Sequence, residues 1–462
     1  MAPDSTTERP LPWLNRVFGD RPGIFFICLF AWTLTNLDQS LFGYAIPGIL
    51  AEFNLPLEAA GTILTISFVL GTVIIVFAGL AADRWGRGPV LTLLLVSSSI
   101  FVGLQGFAAT IVMLTIFRSL GFGLSGGLSP ITNALVVENA ADRFRGVAMG
   151  FLQCGYPLGW LLASLIAAPL LAKYDWRAAC YAAFIVVPLA IPIWLYLARV
   201  GDGARAEARR AAVAAPGTAA AREADPDATH PAAHAAAVPE STAGAAPAEV
   251  TAALRAGAKP SAIRQLFGPE FRARSIASCL LFFTFGGAYA GSAFFFPTFF
   301  NQVRGYSPSE AALLVGLSNG IAVVGYIGAA MMGEFVLSRR NVFVIWCVAG
   351  AVALLGLLWA SGGRTPDMIW YALMATMFYG SQAVVPVLIA EIYPTSIRAS
   401  GLAICASAPL TLGFAVFPMV VPMAISSVGW EVGLSIVVVP LLLASTVAAL
   451  FLPNRRSGLP VS

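Results

Sequence analysis

Two charged side chains, Asp38 and Arg118, fall deep inside long apolar runs. A charge in hydrocarbon costs about 2.5–3.5 kcal/mol on insertion scales, so a residue kept there is a candidate for function. Asp38 lies several residues before the outer end of the first run, and Arg118 about two turns into the fourth, which starts near Thr110. With 1.5 Å of rise per residue, both are expected ~12–15 Å below the same membrane edge, close enough to pair or to share a substrate. That combination suits proton coupling. A proton on Asp38 releases Arg118 for a substrate carboxylate, and the doubly loaded site is nearly neutral. An anion arriving alone competes with Asp38 for one guanidinium. The same residues also fit a structural ion pair between helices, or an Asp38 open to an outer vestibule.

Uncharged polar residues near the middle of other runs are candidates for the wall of a binding site. They are Asn36, Gln39 and Tyr44 in the first, Gln153 and Tyr156 in the fifth, and Tyr289 in the seventh. Asn319 lies in the eighth, with Tyr379 and Gln382 in the tenth. Tyr and Gln side chains can orient a ring or a carboxylate. They also make ordinary hydrogen bonds between membrane helices, and residue type alone does not separate the two uses. The phenylalanines, Phe294, Phe295 and Phe296 among them, read as lipid or packing contacts.

Elements of the right length must carry these groups. The 462 residues are 58% hydrophobic and 11% charged, with a mean hydropathy of +0.81, where soluble domains carry ~25% charged residues. Twelve apolar stretches approach the ~20 residues that span ~30 Å of hydrocarbon. They are placed at 23–46, 57–80, 89–108, 110–136, 146–170, 177–199, 273–299, 309–335, 341–360, 367–390, 399–425 and 431–453. The expected fold is therefore an all-α membrane protein of twelve transmembrane helices. Residues 1–22 precede the first half, 23–200, and a polar Ala/Pro-rich segment, 201–265, separates it from the second half, 266–453. That segment has no apolar period to bury and reads as a disordered linker; 454–462 form a tail.

The formal charge of +4 implies no nucleic-acid partner, but its placement is informative. If the spans alternate, Arg9, Arg16, Arg21, Arg84, Arg87, Arg143, Arg145, Arg339, Arg340, Arg398, Arg455 and Arg456 share one side, against Lys173, Arg177, Arg304 and Arg364 opposite. The excess of basic residues places both termini and the linker in the cytoplasm. The start of the chain lacks the short apolar core and small-residue cleavage site of a secretory signal. The six cysteines fall inside spans without metal-ligand spacing, and both histidines, His230 and His234, lie in the linker. No metal, cofactor or histidine proton relay is expected.

Between the second and third runs stands Gly79-Leu-Ala-Ala-Asp83-Arg84-Trp85-Gly86-Arg87. Its glycines and alternating charges suit a tight turn that locks two helices. Asp83 favours a helix N-terminus, and Arg87 calls for a carboxylate, with Glu138 the obvious candidate. Glu138 is followed seven residues later by Arg145, and Glu391 seven residues later by Arg398, at equivalent points of the two halves. Paired repeats around a midplane site are a transporter architecture.

The loop GLAADRWGR, the doubled Glu–Arg spacing and the six-plus-six arrangement resemble the major facilitator superfamily. The resemblance implies two pseudo-symmetric six-helix bundles that rock about a central site. It also implies a cytoplasmic gate at Gly79, Asp83, Arg84, Gly86, Arg87, Glu138, Arg145, Glu391 and Arg398. The counterpart in the second half, around Gly333, Glu334, Arg339 and Arg340, keeps acid then base but lacks the Asp-Arg-x-Gly-Arg core. More narrowly, RSLGFGLSGG, CGYPLGW and YDWRAACY resemble the aromatic-acid/proton and sialate/proton symporter branches, which often carry Gly-aromatic-Pro-Leu-Gly in the fifth span, matched here by Gly155-Tyr156-Pro157-Leu158-Gly159. Drug antiporters usually place Gly and Pro side by side there. The first-span sequence NLDQSLFGYAIP differs from the Asp-Gly-Phe-Asp form common in aromatic-acid symporters.

The expected function is proton-coupled uptake of an organic anion, an aromatic acid or other carboxylate, by a monomer in a bacterial-type inner membrane. Proton-coupled efflux of drugs or metabolites is the alternative. The absence of a Gly-x-x-x-x-Gly-Lys-Ser/Thr loop argues against an ATP-driven pump. No His-Glu-x-x-His, Ser/His or paired intramembrane Asp cluster supports a membrane enzyme. A transporter-fold nutrient receptor would bind without flux.

Overall fold

The structure is a computed structural model that describes residues 17–454 except 19–20, 142–143, 215–259, 361, 391 and 395–396; the side chains of 83, 201–214, 260–262, 390 and 399 are also outside the described set. Every regular element among the described residues is helical. This is what an apolar solvent demands, since a helix satisfies its own backbone polar groups. Among the described residues, eleven segments are long and apolar enough to cross a membrane. In the first half they are α1 (Pro22–Glu52), α2 (Leu57–Ala82), α3 (Arg87–Phe107), α4 (Ile111–Asn139), α5 (Arg145–Lys173) and α6 (Trp176–Val200). In the second they are α8 (Pro308–Phe335), α9 (Arg339–Trp359), α10 (Arg364–Ile389), α11 (Ser400–Val428) and α12 (Trp430–Leu450). The remaining crossing, α7, consists of two helices, Arg272–Ala290 and Phe296–Gln302. The even number of crossings puts the start of α1 and the end of α12 on one face, called here the termini side, and the opposite face is the far side.

Three departures from the expected spans have local causes. The helix of α1 runs through Pro47 to Glu52, well past the boundary expected at 46. The helix of α6 continues to Ala214, into the stretch expected as linker, in keeping with the high helix propensity of its alanines; residues 215–259 lie outside the described set. The break in α7 falls at 291–295, where Gly291 and Ser292 are weak helix formers and the Ser292 hydroxyl turns back to the Ala288 carbonyl at 2.7 Å. The break aims Phe294 inward.

The halves meet along α5 against α8 and α2 against α11. Small residues permit the approach. A Cβ on Gly316 would collide with the Ser164 side chain, and one on Gly61 with the Pro418 carbonyl, both in the far half of the bundle. Small residues at membrane helix interfaces act by letting backbones close in. Overpacking such a contact typically costs ~1–3 kcal/mol. Gly316→Val is therefore expected to lower the thermal unfolding midpoint of the purified protein and to slow transport. An unchanged midpoint and rate would show that α5 and α8 have room at this level.

Each half also carries an arginine on the end of its third helix. Arg177 donates to the carbonyls of Gly106 (3.0 Å) and Ala108 (2.8 Å) and pairs with Glu52 at 2.5 Å. Arg304 donates to the carbonyls of Leu357 (3.0 Å) and Leu358 (3.4 Å) and faces Asp367 at 3.5 Å. A guanidinium suits the negative end of a helix dipole. Tyr306 donates to Asp367 at 2.5 Å. Desolvation, reinforced by Asp367, pushes its phenol up to about 12, so it remains a donor at physiological pH.

Candidate functional site

On the termini side, Gly86 joins α2 to α3 at φ +92°, a region that glycine alone enters without steric cost. The turn after it brings Arg87 into an ion pair with Glu138, fastening the start of α3 to the end of α4. Arg145 Nε donates to the Val137 carbonyl at 3.1 Å. Gly79 is buried beneath this turn, and Arg84 is exposed in the last turn of the helix, which continues past the α2 span to Trp85. In the second half Arg339 pairs with Glu334 at 2.5 Å. A Cβ on Gly146 would lie 2.7 Å from Glu334 Oε2 and 2.8 Å from Arg339 Nη2, so this pair presses on the start of α5 in the other bundle. Arg398 Nε donates to the Tyr393 carbonyl at 3.3 Å. Glu391 and the side chain of Asp83 lie outside the described residues.

Between the halves lies a cavity of about 270 Å³. Asn36, Gln39, Gln153, Tyr156, Tyr289 and Gln382, all expected from sequence, line it. Four other expected residues do not line it. Tyr44 donates to the Trp160 carbonyl at 2.9 Å, and Asn319 Nδ2 to the Val315 carbonyl at 2.8 Å. Tyr379 is buried against the Tyr289 ring at 5.0 Å, and Arg118 lies beyond the wall. Among the described residues, no charged one lines the cavity.

The order of lining residues along each helix gives the cavity its polarity. Toward the termini side the walls carry Trp32, Ile75 and Phe285 together with Ser129, Gln153, Gln382 and Ser407, and on α1 Asn36 and Gln39 lie nearer the far side than Trp32. The lining residue nearest the far side is Phe68 on α2, Phe122 on α4, Trp160 on α5, Phe294 on α7 and Phe414 on α11. These rings touch. Phe68 lies 4.6 Å from Phe122, 6.0 Å from Phe294 and 5.6 Å from Phe414, and Trp160 lies 5.9 Å from Phe294. They form an aromatic lid that closes the cavity from the far side. Phe294 is thus a wall residue and not the lipid or packing contact expected from sequence. Sequence reasoning also passed over Phe68, Phe122, Trp160 and Phe414. Nothing in a run of apolar residues distinguishes a ring facing a cavity from one facing a neighbouring helix.

The two deep charges are both fully buried, but they form no ion pair among the described residues. Asp38 Oδ2 accepts from Ser99 Oγ on α3 at 2.6 Å, Ser98 adjoins the carboxylate, and Oδ1 lacks a well-formed hydrogen bond among the described residues. Arg118 stands over Phe42 at 4.4 Å and reaches the lid rings Phe294 at 5.7 Å and Phe122 at 5.9 Å. None of its side-chain nitrogens has a hydrogen-bond partner among the described residues. The pairing considered from sequence fails on depth along the helix. Phe42 follows Asp38 by four residues, so a guanidinium resting on Phe42 sits about one turn, ~5.4 Å, nearer the far side. Neighbouring Gln39 donates to Ser125 of α4 instead.

Residues 24–404 match the sequence profile of the Major Facilitator Superfamily. The chain is 34% identical over 166 residues to a probable 4-methylmuconolactone transporter of Cupriavidus pinatubonensis, covering 35% of this chain and 39% of that relative. It is 26% identical over 393 residues to the niacin transporter NiaP of Acinetobacter baylyi, covering 84% of each chain. Its fold is similar to that of the proton:xylose symporter XylE, with a TM-score of 0.63 at 18% identity over 94% of this chain and 96% of the other.

Proposed function

Because the chain belongs to the major facilitator superfamily of membrane transporters, we propose that it imports a small organic acid with protons by alternating access. The carrying observation is the cavity between the halves, lined among the described residues by amides, hydroxyls and aromatic faces and by no charged side chain. Its size, about 270 Å³, is just below the ~300–1,000 Å³ common for drug-sized ligands. That suits one ring or a short conjugated chain with a carboxylate better than an acid sugar. The relatives named for 4-methylmuconolactone and niacin support the same choice. The protein acts as a monomer in a bacterial inner membrane with the termini side in the cytoplasm, and the Arg87–Glu138 and Glu334–Arg339 contacts belong to its cytoplasmic gate.

In this reading Asp38 carries the coupled proton outside the substrate cavity. Arg118 is the cation beside the lid, within 5.9 Å of the rings of Phe122 and Phe294. When the bundles rock and those rings part, its donors become available.

The test is proton movement in proteoliposomes with an enclosed pH dye, challenged with nicotinate, benzoate, gallate, a sugar acid and a cationic drug. Inward proton flux with an aromatic acid is expected. Outward flux on adding the cationic drug to acid-loaded vesicles would overturn uptake in favour of efflux, and acid binding without flux would indicate a receptor.

A further inference from the structure

A second hollow lies on the outside of the bundle, between α8 and α10. Ile321 of α8 and one stripe of α10, from Thr365 through Ile369 and Leu373 to Thr376, line a groove of about 590 Å³ with Arg364 at its mouth. The α10 residues recur three or four positions apart, which puts them on one side of the helix. Ile321 is 46% and Ile369 60% exposed, so the groove opens sideways into the bilayer. Two contacts frame it. At the far side Arg364 pairs with Glu310 near the start of α8. Deeper in the membrane a Cβ on Gly325 would collide with the Thr376 carbonyl, so the two helices touch there. From Arg364 to Thr376 α10 rises ~18 Å, about one leaflet of a ~30 Å hydrocarbon core. A long apolar groove that starts at the membrane edge and ends near the midplane has the shape of an extended acyl chain.

The mouth of the groove carries one charge of each sign. Glu310 Oε2 accepts from the Ser307 amide and hydroxyl, each at 3.0 Å, and Oε1 meets Arg364 Nη2. The Arg364 side chain is 71% exposed, and its guanidinium has five N–H donors in a fork that suits a phosphate. Exposed ion pairs of this kind are weak, so a head group with both charges can enter between the partners. A phosphate then takes the guanidinium, and an ammonium with N–H donors takes the carboxylate. A choline head group has no N–H to give, and a glycerol head group brings no cation for Glu310.

We propose that this groove binds one phospholipid with a primary-amine head group from the far-side leaflet. Its acyl chain lies along the α10 stripe, its phosphate on Arg364 and its ammonium on Glu310. The same α8 helix presents Gly316 and Gly320 to Ser164 and Leu161 of α5. The seated lipid therefore supports a helix that forms the contact between the halves. The site is separate from the central cavity and independent of what that cavity carries.

The experiment is native mass spectrometry of the purified full chain in micelles doped with phosphatidylethanolamine, phosphatidylcholine or phosphatidylglycerol of the same acyl chains. The parent is compared with Ile369→Trp, Glu310→Gln and Arg364→Gln. The parent is expected to retain one phosphatidylethanolamine ~10-fold more tightly than either other lipid, the lower end for a hydrogen bond to a charged group. Ile369 is exposed, so a tryptophan there fills the groove without entering the core, and retention should be lost. Glu310→Gln keeps a residue suited to the capping box at the start of α8 and should cancel the advantage over the other two lipids. Arg364→Gln should weaken retention of all three. The comparison of head groups in the parent needs no variant to fold. No retained lipid, or equal retention of the three, would overturn the proposal and leave the groove to passing bilayer lipid. Retention unchanged in both Ile369→Trp and Arg364→Gln would place the lipid elsewhere. A lipid-free dimer that Ile369→Trp returns to monomer would give the groove to a second copy and also overturn the proposal.

Discussion

Asp38→Asn is expected to reduce proton-driven accumulation to the level of empty vesicles while substrate exchange across the membrane continues. The substitution is close to isosteric, and the Asn carbonyl can still accept from Ser99 Oγ, which now bonds Asp38 Oδ2 at 2.6 Å. What disappears is the one carboxylate that is buried in the first bundle among the described residues. Exchange needs only the cavity and the rocking motion, and Asp38 is not among the lining residues. Accumulation requires that the return of the empty carrier differ from that of the loaded one, which is the role assigned to the proton on Asp38. The readouts are uptake against a gradient and counterflow at equal concentrations, with and without an imposed pH difference. Accumulation that survives in the Asn variant would remove Asp38 from coupling, and loss of both activities together would make it a structural residue.

Arg118→Gln is expected to abolish uptake while leaving the thermal midpoint unchanged or higher. A buried arginine costs about 2.5–3.5 kcal/mol on insertion scales. Each favourable cation–π contact returns ~0.5–2 kcal/mol, and three rings lie within 5.9 Å of this guanidinium. The rings offset the burial in part, but the donors on its nitrogens remain unmatched. Glutamine removes the charge and most of those donors. A residue kept for stability would lower the midpoint when replaced; one kept for the anion would lower transport alone. Arg118→Lys is the informative intermediate. It keeps a charge but loses the planar face that stacks on Phe42, and lysine is more strongly hydrated. Partial uptake with weaker acid affinity is expected. Parental uptake in Arg118→Gln would leave the guanidinium without a transport role.

The reach of sequence reasoning differs between the elements and the site. The crossings, the central split and the Arg87–Glu138 partnership were legible because they depend on composition and on spacing along the chain. Even the broken seventh crossing was found as a span, although its turn at 291–295 was not. The polar candidates divided according to helix rotation. Asn36 and Gln39 line the cavity, while their neighbour Asp38 turns away to Ser99. Tyr289 lines it and Tyr379 stands behind, though both are aromatic residues near the middle of a crossing.

Hydropathy states that a helix lies in the membrane, because transfer free energy sums over its length whichever way it is turned. It says little about rotation in a bundle, where lipid-facing and core-facing sides are both apolar and the amphipathic stripe that orients a helix in a soluble protein is weak. Rotation is set by packing against neighbours. Here Gly316 against Ser164, Gly61 against Pro418 and Phe42 beneath Arg118 decide which side chains meet. Membership of the membrane, the two halves and the charged turn thus follow from the chain alone. The aromatic lid, the uncharged cavity beneath it and the separation of Asp38 from Arg118 exist only once twelve helices have settled their rotations against one another.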